Sequence, residues 1–442
     1  MRGGRVNRRS QFFASTGTAL EWYDLTLYVY LAPVISGLFF PSSDEVASLL
    51  ATYGVFAVGY LMRPIGAIFF GWFGDTHGRK AVLTTSVLLM SVPMGLIAVM
   101  PTYDTIGIAA PIILVVLRLV QGFSVGGEFS GTLVMLNETS MRTRKGFSAS
   151  LAQATGGLGV VLASGVAALT HVIFTNQQML DGAWRIPFGV GVCIGVLALF
   201  MRVHMQETRS FEIAKETGSL VKNPAKTAMT KHRKAVWSVF WLTAYLGIAY
   251  YLVATWLPGY LQTVIDATAE AALISTTLGS ILYVVLNPVV GICSDRVGRK
   301  PVMITGAIGF VVLTYPLFML VATTSFARIL VGTVALMLLV ITFTGGFSPT
   351  VTELFPTNAR YSGLAIDYNI GNAIFAGTAP FIATLLVKVT GWDLSPSLYL
   401  IVPSLLILIV LFRMPEPSRL KWEGELEAGP GLGRPAAAPS AG

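Results

Sequence analysis

The sequence predicts an all-α membrane protein of twelve transmembrane helices in two pseudo-symmetric six-helix halves, and three observations predict it. Hydrophobic residues make up 54% of the 442 residues and charged residues only 12%, too apolar a balance for an ordinary water-soluble core. Twelve apolar runs of about 20 residues follow one another, each long enough at 1.5 Å per residue to cross a hydrocarbon layer of roughly 30 Å. A ten-residue turn also occurs twice, as GWFGDTHGRK from Gly71 and GICSDRVGRK from Gly291. Gly71, Asp75, Gly78, Arg79 and Lys80 recur half a chain later as Gly291, Asp295, Gly298, Arg299 and Lys300. Both copies sit between two long apolar runs, which is the mark of a duplicated membrane half, and such proteins are mostly transporters.

The runs lie near residues 11–38, 47–70, 81–100, 108–133, 146–170 and 184–203, then 235–261, 271–290, 301–322, 328–351, 361–387 and 396–413. They divide the chain into an N-terminal half, 1–203, and a C-terminal half, 235–413. Residues 204–234, with Lys222, Lys226, Lys231, Arg233 and Lys234, read as a polar linker. Residues 414–442 end in GPGLGRPAAAPSAG and have too little hydrophobic pattern to fold, so a disordered tail is expected.

Lys and Arg stay on the cytoplasmic side of a membrane. Nearly all of them fall in the leader, the linker, the tail and the loops after even-numbered runs, so both termini are expected to be cytoplasmic. Arg185, Arg328 and Lys388 fall on the opposite side, and Arg63 and Arg118 lie inside apolar runs. This topology accounts for the net charge of +8, which therefore gives no support to a nucleic-acid partner. The first apolar run is too long for a cleaved signal and lacks a clear small-residue cleavage site, so it is expected to remain as a helix. An inner (plasma) membrane location and a monomer in the lipid bilayer are expected.

Several chemistries find no support. Cys193 and Cys293 are far apart on separate elements, which suggests neither a disulfide framework nor a metal site. The histidines His77, His171, His204 and His232 fall in loops or at helix ends and read as surface residues. Gly122, Gly126, Gly127, Gly131 and the glycines around Gly156 lack the strand and lysine of a nucleotide loop, so they read as helix-packing surfaces. No cofactor is expected. An enzyme would need a metal cluster or a nucleophile–base arrangement, and a receptor or sensor, the alternative from another class, would need a larger output domain.

Ionisable groups inside apolar runs are costly and usually line a cavity. Six stand out: Glu21, Asp24, Arg63, Arg118, Glu128 and Asp367. Glu21, Asp24 and Tyr28 form one stripe on the first helix, and Arg118, Gln121, Val125 and Glu128 another on the fourth. Helical rise puts Asp24 and Arg118 about 15–20 Å from either membrane face. Asp24, with Glu21 as its rival, is a candidate proton carrier, the alternative being a structural ion pair. Arg118, whose alternative is a structural bridge to an acid of the first helix, and Gln121 are candidates for substrate contact, together with Tyr23, Tyr28, Tyr251 and Asn372. Arg63 and Glu128 lie nearer the cytoplasmic turn and suit gating or structure. Asp367 reads either as a helix-start charge or as a cavity group from the second half.

These residues carry a family resemblance. The twelve runs, the G-x-x-x-D-x-x-G-R-K turn after the second and eighth, and RLVQGFSVGGE from Arg118 to Glu128 resemble the major facilitator superfamily. ALEWYD ending at Asp24, YLMRPIGA around Arg63 and ELFPTNARYSG from Glu353 resemble its metabolite:proton symporter branch, whose members carry proline, betaine, shikimate, oxoglutarate or citrate. The resemblance covers roughly residues 10–413. It implies that the repeated turn is a latch holding the cytoplasmic side closed, with Asp75, Arg79, Asp295 and Arg299 as its parts. The pairs Glu138/Lys145 and Glu353/Arg360, each seven residues apart, repeat in the two halves and support a latch in which Glu138, Glu353 and Arg360 also take part.

The solute expected is a small polar metabolite moved by alternating access with a proton, sodium being the other coupling ion considered. One mid-depth arginine and two acids, with no mid-helix lysine, suit a zwitterion such as betaine or proline. Its carboxylate would meet Arg118 and its ammonium Glu21 or Asp24, with help from Trp22, Tyr23, Tyr250, Tyr251 or Trp256. An organic-acid carrier is the alternative. A drug or metabolite antiporter would share the architecture, but residues 153–165 contain no proline to make the Gly-Pro signature typical of the fifth antiporter helix.

Overall fold

The computed structural model describes residues 8–77, 79–126, 145–204, 233–355 and 368–420, the side chains of residues 8–17, 71, 74–76 and 79 excepted. Among these residues every regular element is helical. Twelve segments follow the twelve runs: α1 (Arg8–Tyr30, continued by Ala32–Phe39), α2 (Glu45–Leu61, continued by Arg63–His77), α3 (Arg79–Val99), α4 (Ala109–Ser124), α5 (Lys145–Ile173), α6 (Arg185–Val203), α7 (Arg233–Thr263), α8 (Ala269–Val297), α9 (Arg299–Val321), α10 (Phe326–Glu353), α11 (Tyr368–Thr390) and α12 (Pro396–Arg413). Ten are long and apolar enough to cross a membrane by length and composition, and Ala109–Ser124 is a shorter apolar helix. Outward faces carry exposed Ile68, Val99, Phe200, Val312 and Phe412, as lipid contact requires.

Local chemistry sets several boundaries. Asp44 accepts a hydrogen bond from the Ala47 amide at 3.0 Å and starts α2. Thr268 does the same for α8 through Ala271, at 3.2 Å. The two segments of α2 meet at Met62, whose amide bonds to Gly59 at 3.2 Å. Pro64 just beyond it has no N–H to give to a regular ladder. Gly298, at φ +110°, makes the tight turn between α8 and α9.

Glycine contacts fix which helices cross. A Cβ on Gly122 of α4 would collide with the Gly59 carbonyl of α2, and one on Gly66 would collide with the Phe123 carbonyl. Side chains at these positions would force α2 and α4 apart, and with them the arginines each carries. Gly156 and Gly159 bring α5 against Trp22 and Ala19 of α1, and Gly146 brings α5 onto Gly291 of α8. These are the small-residue seams by which helices approach in lipid. The halves join along α5 against α8 and along α2 against α11. A central space is left between α1 and α5 on one side and α7, α8 and α11 on the other.

Residues 414–420 depart from the expected disordered tail. Glu416 accepts hydrogen bonds from the Arg299 and Lys300 amides at 2.8 and 3.1 Å, and Lys300 Nζ donates to the Met414 carbonyl at 2.6 Å. The carboxylate satisfies free amides at the start of α9 and favours its positive end, which orders the segment that carries it.

Candidate functional site

Glu21 and Asp24 stand one turn apart on α1, both fully buried. Glu21 accepts from Arg63 Nη2 at 2.9 Å, and the Arg63 guanidinium lies 4.2 Å over the ring of Tyr60. Arg63 opens the second segment of α2, directly beyond the break. Asp24 accepts from Gln121 Nε2 at 2.8 Å and stands 3.8 Å from Arg118 Nη1. The Arg118 guanidinium lies 4.1 Å over the Tyr28 ring, and the Tyr28 hydroxyl donates to the Thr52 carbonyl at 3.1 Å. Arg118 Nε and Nη2 have no hydrogen-bond partner. Two carboxylates on one helix are thus matched with two arginines from α2 and α4.

Between the halves lies a small, partly open cavity of about 20 Å³, lined by Trp22, Gln153, Gly157, Thr243, Leu246, Gly247, Tyr250, Tyr251, Tyr283, Tyr368 and Asn372. That is room for about one water molecule. None of the lining side chains is ionised. Aromatic rings dominate: Trp22 meets Tyr250 edge-on with centroids 5.5 Å apart, and Tyr250 meets Tyr283 at 5.3 Å. Gln153 Nε2 and Thr243 Oγ1 are buried without a hydrogen-bond partner, so both are free to bond a ligand. Tyr251 and Asn372 each begin a π-helical turn, Tyr251–Trp256 in α7 and Asn372–Ala376 in α11. Such turns interrupt the regular ladder and often mark functional positions.

At the end of the bundle bearing the second turn copy, charge is tightly organised. Asp295 accepts from the Gly146 and Phe147 amides at 2.8 and 3.1 Å, so a carboxylate of the second half meets the positive N-terminal end of α5 from the first. Arg299 donates to Asp295 at 2.8 Å and grips Glu353 with two bonds, Nε at 3.1 Å and Nη2 at 3.0 Å. Asn369 of α11 donates to the Gly126 carbonyl at 2.9 Å, a second tie between halves. At the opposite end a vestibule of about 760 Å³ opens among α1, α2, α5, α7 and α8, with Glu45, Asp266, Glu270 and His171 in its wall.

The structure brings some expected residues together and separates others. Tyr251 and Asn372 line the central cavity, as do Trp22 and Tyr250. Arg118, Gln121, Glu21, Asp24, Tyr23 and Tyr28 stand outside that lining. Tyr23 turns toward α6 and donates to the Pro187 carbonyl at 2.7 Å, while Arg118 and Asp24 face one another. Asp295, Arg299 and Glu353 form one cluster. Glu128, Glu138, Arg360 and Asp367, and the side chains of Asp75 and Arg79, lie outside the described residues. His171 is not a surface histidine: it is 5% exposed, because the last turn of α5 faces the vestibule wall. Sequence reading missed Gln153, Thr243, Tyr283 and Tyr368 in the cavity. It also missed the Tyr60 hydroxyl, which hydrogen-bonds that of Tyr251.

Comparison with known proteins agrees with this geometry. The sugar (and other) transporter family matches residues 10–424. The proline/betaine transporter of Escherichia coli K12 is 33% identical over 430 residues, covering 95% of this chain and 86% of its own. The chain belongs to this transporter family, within the major facilitator superfamily. The glycine betaine/proline/ectoine/pipecolic acid transporter OusA of Dickeya dadantii is 32% identical, covering 96% of this chain and 86% of its own. Among solved structures, a partially occluded inward-open form of the E. coli xylose transporter XylE superposes with a TM-score of 0.74 at 16% identity, over 94% of this chain and 99% of that one. The proton:xylose symporter XylE bound to 6-bromo-6-deoxy-D-glucose gives 0.73 at 15% identity, over 92% and 96%. At such identities the likeness speaks for the fold alone. The molecule is a multi-pass membrane transporter and not an enzyme.

Proposed function

We propose that this transporter takes up a zwitterionic osmolyte, betaine or proline, together with a proton, by alternating access across the inner (plasma) membrane. The observation that carries this reading is the chemistry of the central cavity: aromatic faces, two unpartnered polar groups and no ionised side chain. Aromatic faces attract an ammonium, most of all a quaternary one that offers no N–H to bond. The Gln153 amide and Thr243 hydroxyl supply donors for a carboxylate. Citrate or oxoglutarate would bring uncompensated negative charge into a space without a cation, since Arg63 and Arg118 already face Glu21 and Asp24. The relatives carrying proline and betaine support the same choice.

Coupling falls to the α1 acids. Asp24 is the carrier we favour, because its partner stands 3.8 Å away and keeps two unused donor nitrogens. Taking a proton from outside neutralises Asp24 and frees Arg118 to find other partners; losing it inside restores the pair. The Asp295, Arg299 and Glu353 cluster holds the cytoplasmic side shut, with both termini on that side, while the vestibule receives solute from outside. A monomer suffices for this cycle.

The test is uptake into proteoliposomes of radiolabelled betaine, proline, oxoglutarate and citrate, with and without an inward proton gradient. Accumulation of betaine or proline that requires the gradient is expected. Gradient-driven accumulation of citrate or oxoglutarate alone would overturn the reading.

A further inference from the structure

Tyr60 lies on α2, in the first half, beside Phe56 and Arg63, yet it also reaches two helices of the second. Its hydroxyl bonds that of Tyr251 on α7, with ring centroids 5.6 Å apart. A Cβ on Gly377 of α11 would collide with the Tyr60 side chain, so only glycine there lets the ring sit between α7 and α11. The other face of the same ring supports the Arg63 guanidinium at 4.2 Å, and Arg63 holds Glu21 at 2.9 Å. One short line of contacts thus runs from the cavity wall through Tyr251, Tyr60 and Arg63 to Glu21. It crosses α2 at the break, since Tyr60 and Arg63 flank Met62 on either side.

We propose that the Tyr60–Tyr251 hydroxyl bridge makes Tyr60 a positioning residue that ties occupancy of the central cavity to the Glu21–Arg63 pair, and through that pair to the break in α2. The proposal rests on the reading of that cavity as the solute site. A solute lying against Tyr251 competes for its hydroxyl. Tyr60 then loses its partner across the halves, its ring shifts beneath Arg63, and the two segments of α2 turn about Met62. No new interruption of the helix is needed there, because Pro64 has already removed a ladder bond. A ligand shifts such an equilibrium only through a differential contact, and the Tyr251 hydroxyl supplies one. The charged and titratable groups facing Arg63 are Glu21 of α1, Tyr60 of α2, Tyr251 of α7 and Tyr368 of α11. Asp24 and Arg118 stand outside this line.

Tyr60→Phe tests the link, since it keeps the ring and its packing and removes only the hydroxyl. Hydrogen exchange of α2 peptides spanning Met62 is measured on protein in lipid nanodiscs, without solute and with betaine. In the wild type, betaine raises exchange. In Tyr60→Phe, exchange without solute is already raised by roughly five- to tenfold, the worth of one buried hydrogen bond, and betaine adds little. The transport readout separates this from a general structural defect: turnover driven by the proton gradient falls and keeps its pH profile, which Asp24 sets, while half-saturation for betaine falls below the wild-type value because the competing bond is gone. Tyr251→Phe reproduces the change in exchange and in addition weakens betaine binding. Wild-type exchange around Met62 in solute-free Tyr60→Phe would overturn the link, as would a parallel loss of binding and turnover with a lowered melting temperature. Because the solute-free arm involves no substrate, a wild type indifferent to betaine and proline would instead overturn the solute assignment, leaving the exchange difference as support for the bridge.

Discussion

Glu21 and Asp24 share a helix, a depth and a partner type, and each partner arginine lies over a tyrosine ring; even so, the two pairs are built differently. Glu21–Arg63 is closed at 2.9 Å and is tied across the halves by the Tyr60–Tyr251 bridge. Asp24–Arg118 is open at 3.8 Å and lies wholly within the first half, with Gln121 on one carboxylate oxygen and Tyr28 beneath the guanidinium. A closed pair resists the loss of either member, whereas an open one with spare donors exchanges partners at little cost. Under the proposed function, the difference separates two duties that the sequence presents as one stripe of acids: a pair that reports on the cavity and a pair that trades a proton.

The largest effect should follow from breaking the closed pair. Arg63→Ala leaves Glu21 buried without its cation, a cost of about 3–5 kcal/mol, and thermal unfolding of the purified protein should show it as the steepest loss of stability. The double variant Glu21→Ala with Arg63→Ala should recover most of that loss, and Arg118→Ala should cost less. Additive losses at Glu21 and Arg63 would erase the distinction between the pairs.

Arg118→Lys sharpens the comparison from the other side. Lysine keeps the charge but loses the planar face over Tyr28 and the fork facing Asp24. Gradient-driven uptake should drop by about tenfold, roughly the value of one good charge-assisted contact, with near-normal melting. Full activity would mean that only charge matters at this position.

The Asp295 cluster is a third acid–arginine arrangement and does what neither α1 pair does, since it joins backbone amides of one half to a carboxylate of the other. Asp295→Ala removes the acceptor for Gly146 and Phe147. That is worth about 1–3 kcal/mol, enough to open that end of the bundle in a measurable fraction of molecules if the cluster gates it. Labelling of cysteines placed near Gly146 should speed up accordingly; an unchanged rate would remove the cluster from gating.

The smallest effect belongs to Asp44 and Lys388, an exposed pair at 3.2 Å on the vestibule side. The Ala47 amide first, and Lys388 after it, hold the Asp44 carboxyl below its ordinary range. Its contribution is therefore present above the ordinary carboxylate value and fades as pH falls through the lowered one. Lys388→Ala should leave the melting temperature unchanged at neutral pH within error. A clear destabilisation there would show that this rim contact closes the outer side.

How much of this was legible in the sequence follows from what each signal depends on. The repeated turn, the twelve spans and the arginines inside apolar runs were visible because a charge among apolar residues stands out wherever the helix ends up facing. A bridge from Arg118 to an acid of the first helix was legible as an alternative, but the pairing of Arg63 with Glu21 was not, because it depends on how closely α2 and α4 cross, which Gly59, Gly66 and Gly122 decide by contact. Tyr283, Tyr368, Gln153 and Thr243 were passed over because a polar or aromatic residue in an apolar helix reads alike whether it meets lipid, core or cavity. The π-helical turns at Tyr251 and Asn372 left no pattern in composition. Glu416 was hidden in a polar tail, since its role is to meet amides exposed by the distant Gly298 turn.

Asp24→Asn tests the central claim most directly. Asparagine keeps the size of the protonated acid and much of its hydrogen bonding, so the variant should resemble the loaded carrier. Gradient-driven accumulation and counterflow of betaine are measured side by side in proteoliposomes of equal protein content. The account predicts accumulation at the level of protein-free liposomes with counterflow still measurable. Full gradient-driven accumulation by Asp24→Asn would contradict it and move the proton to Glu21.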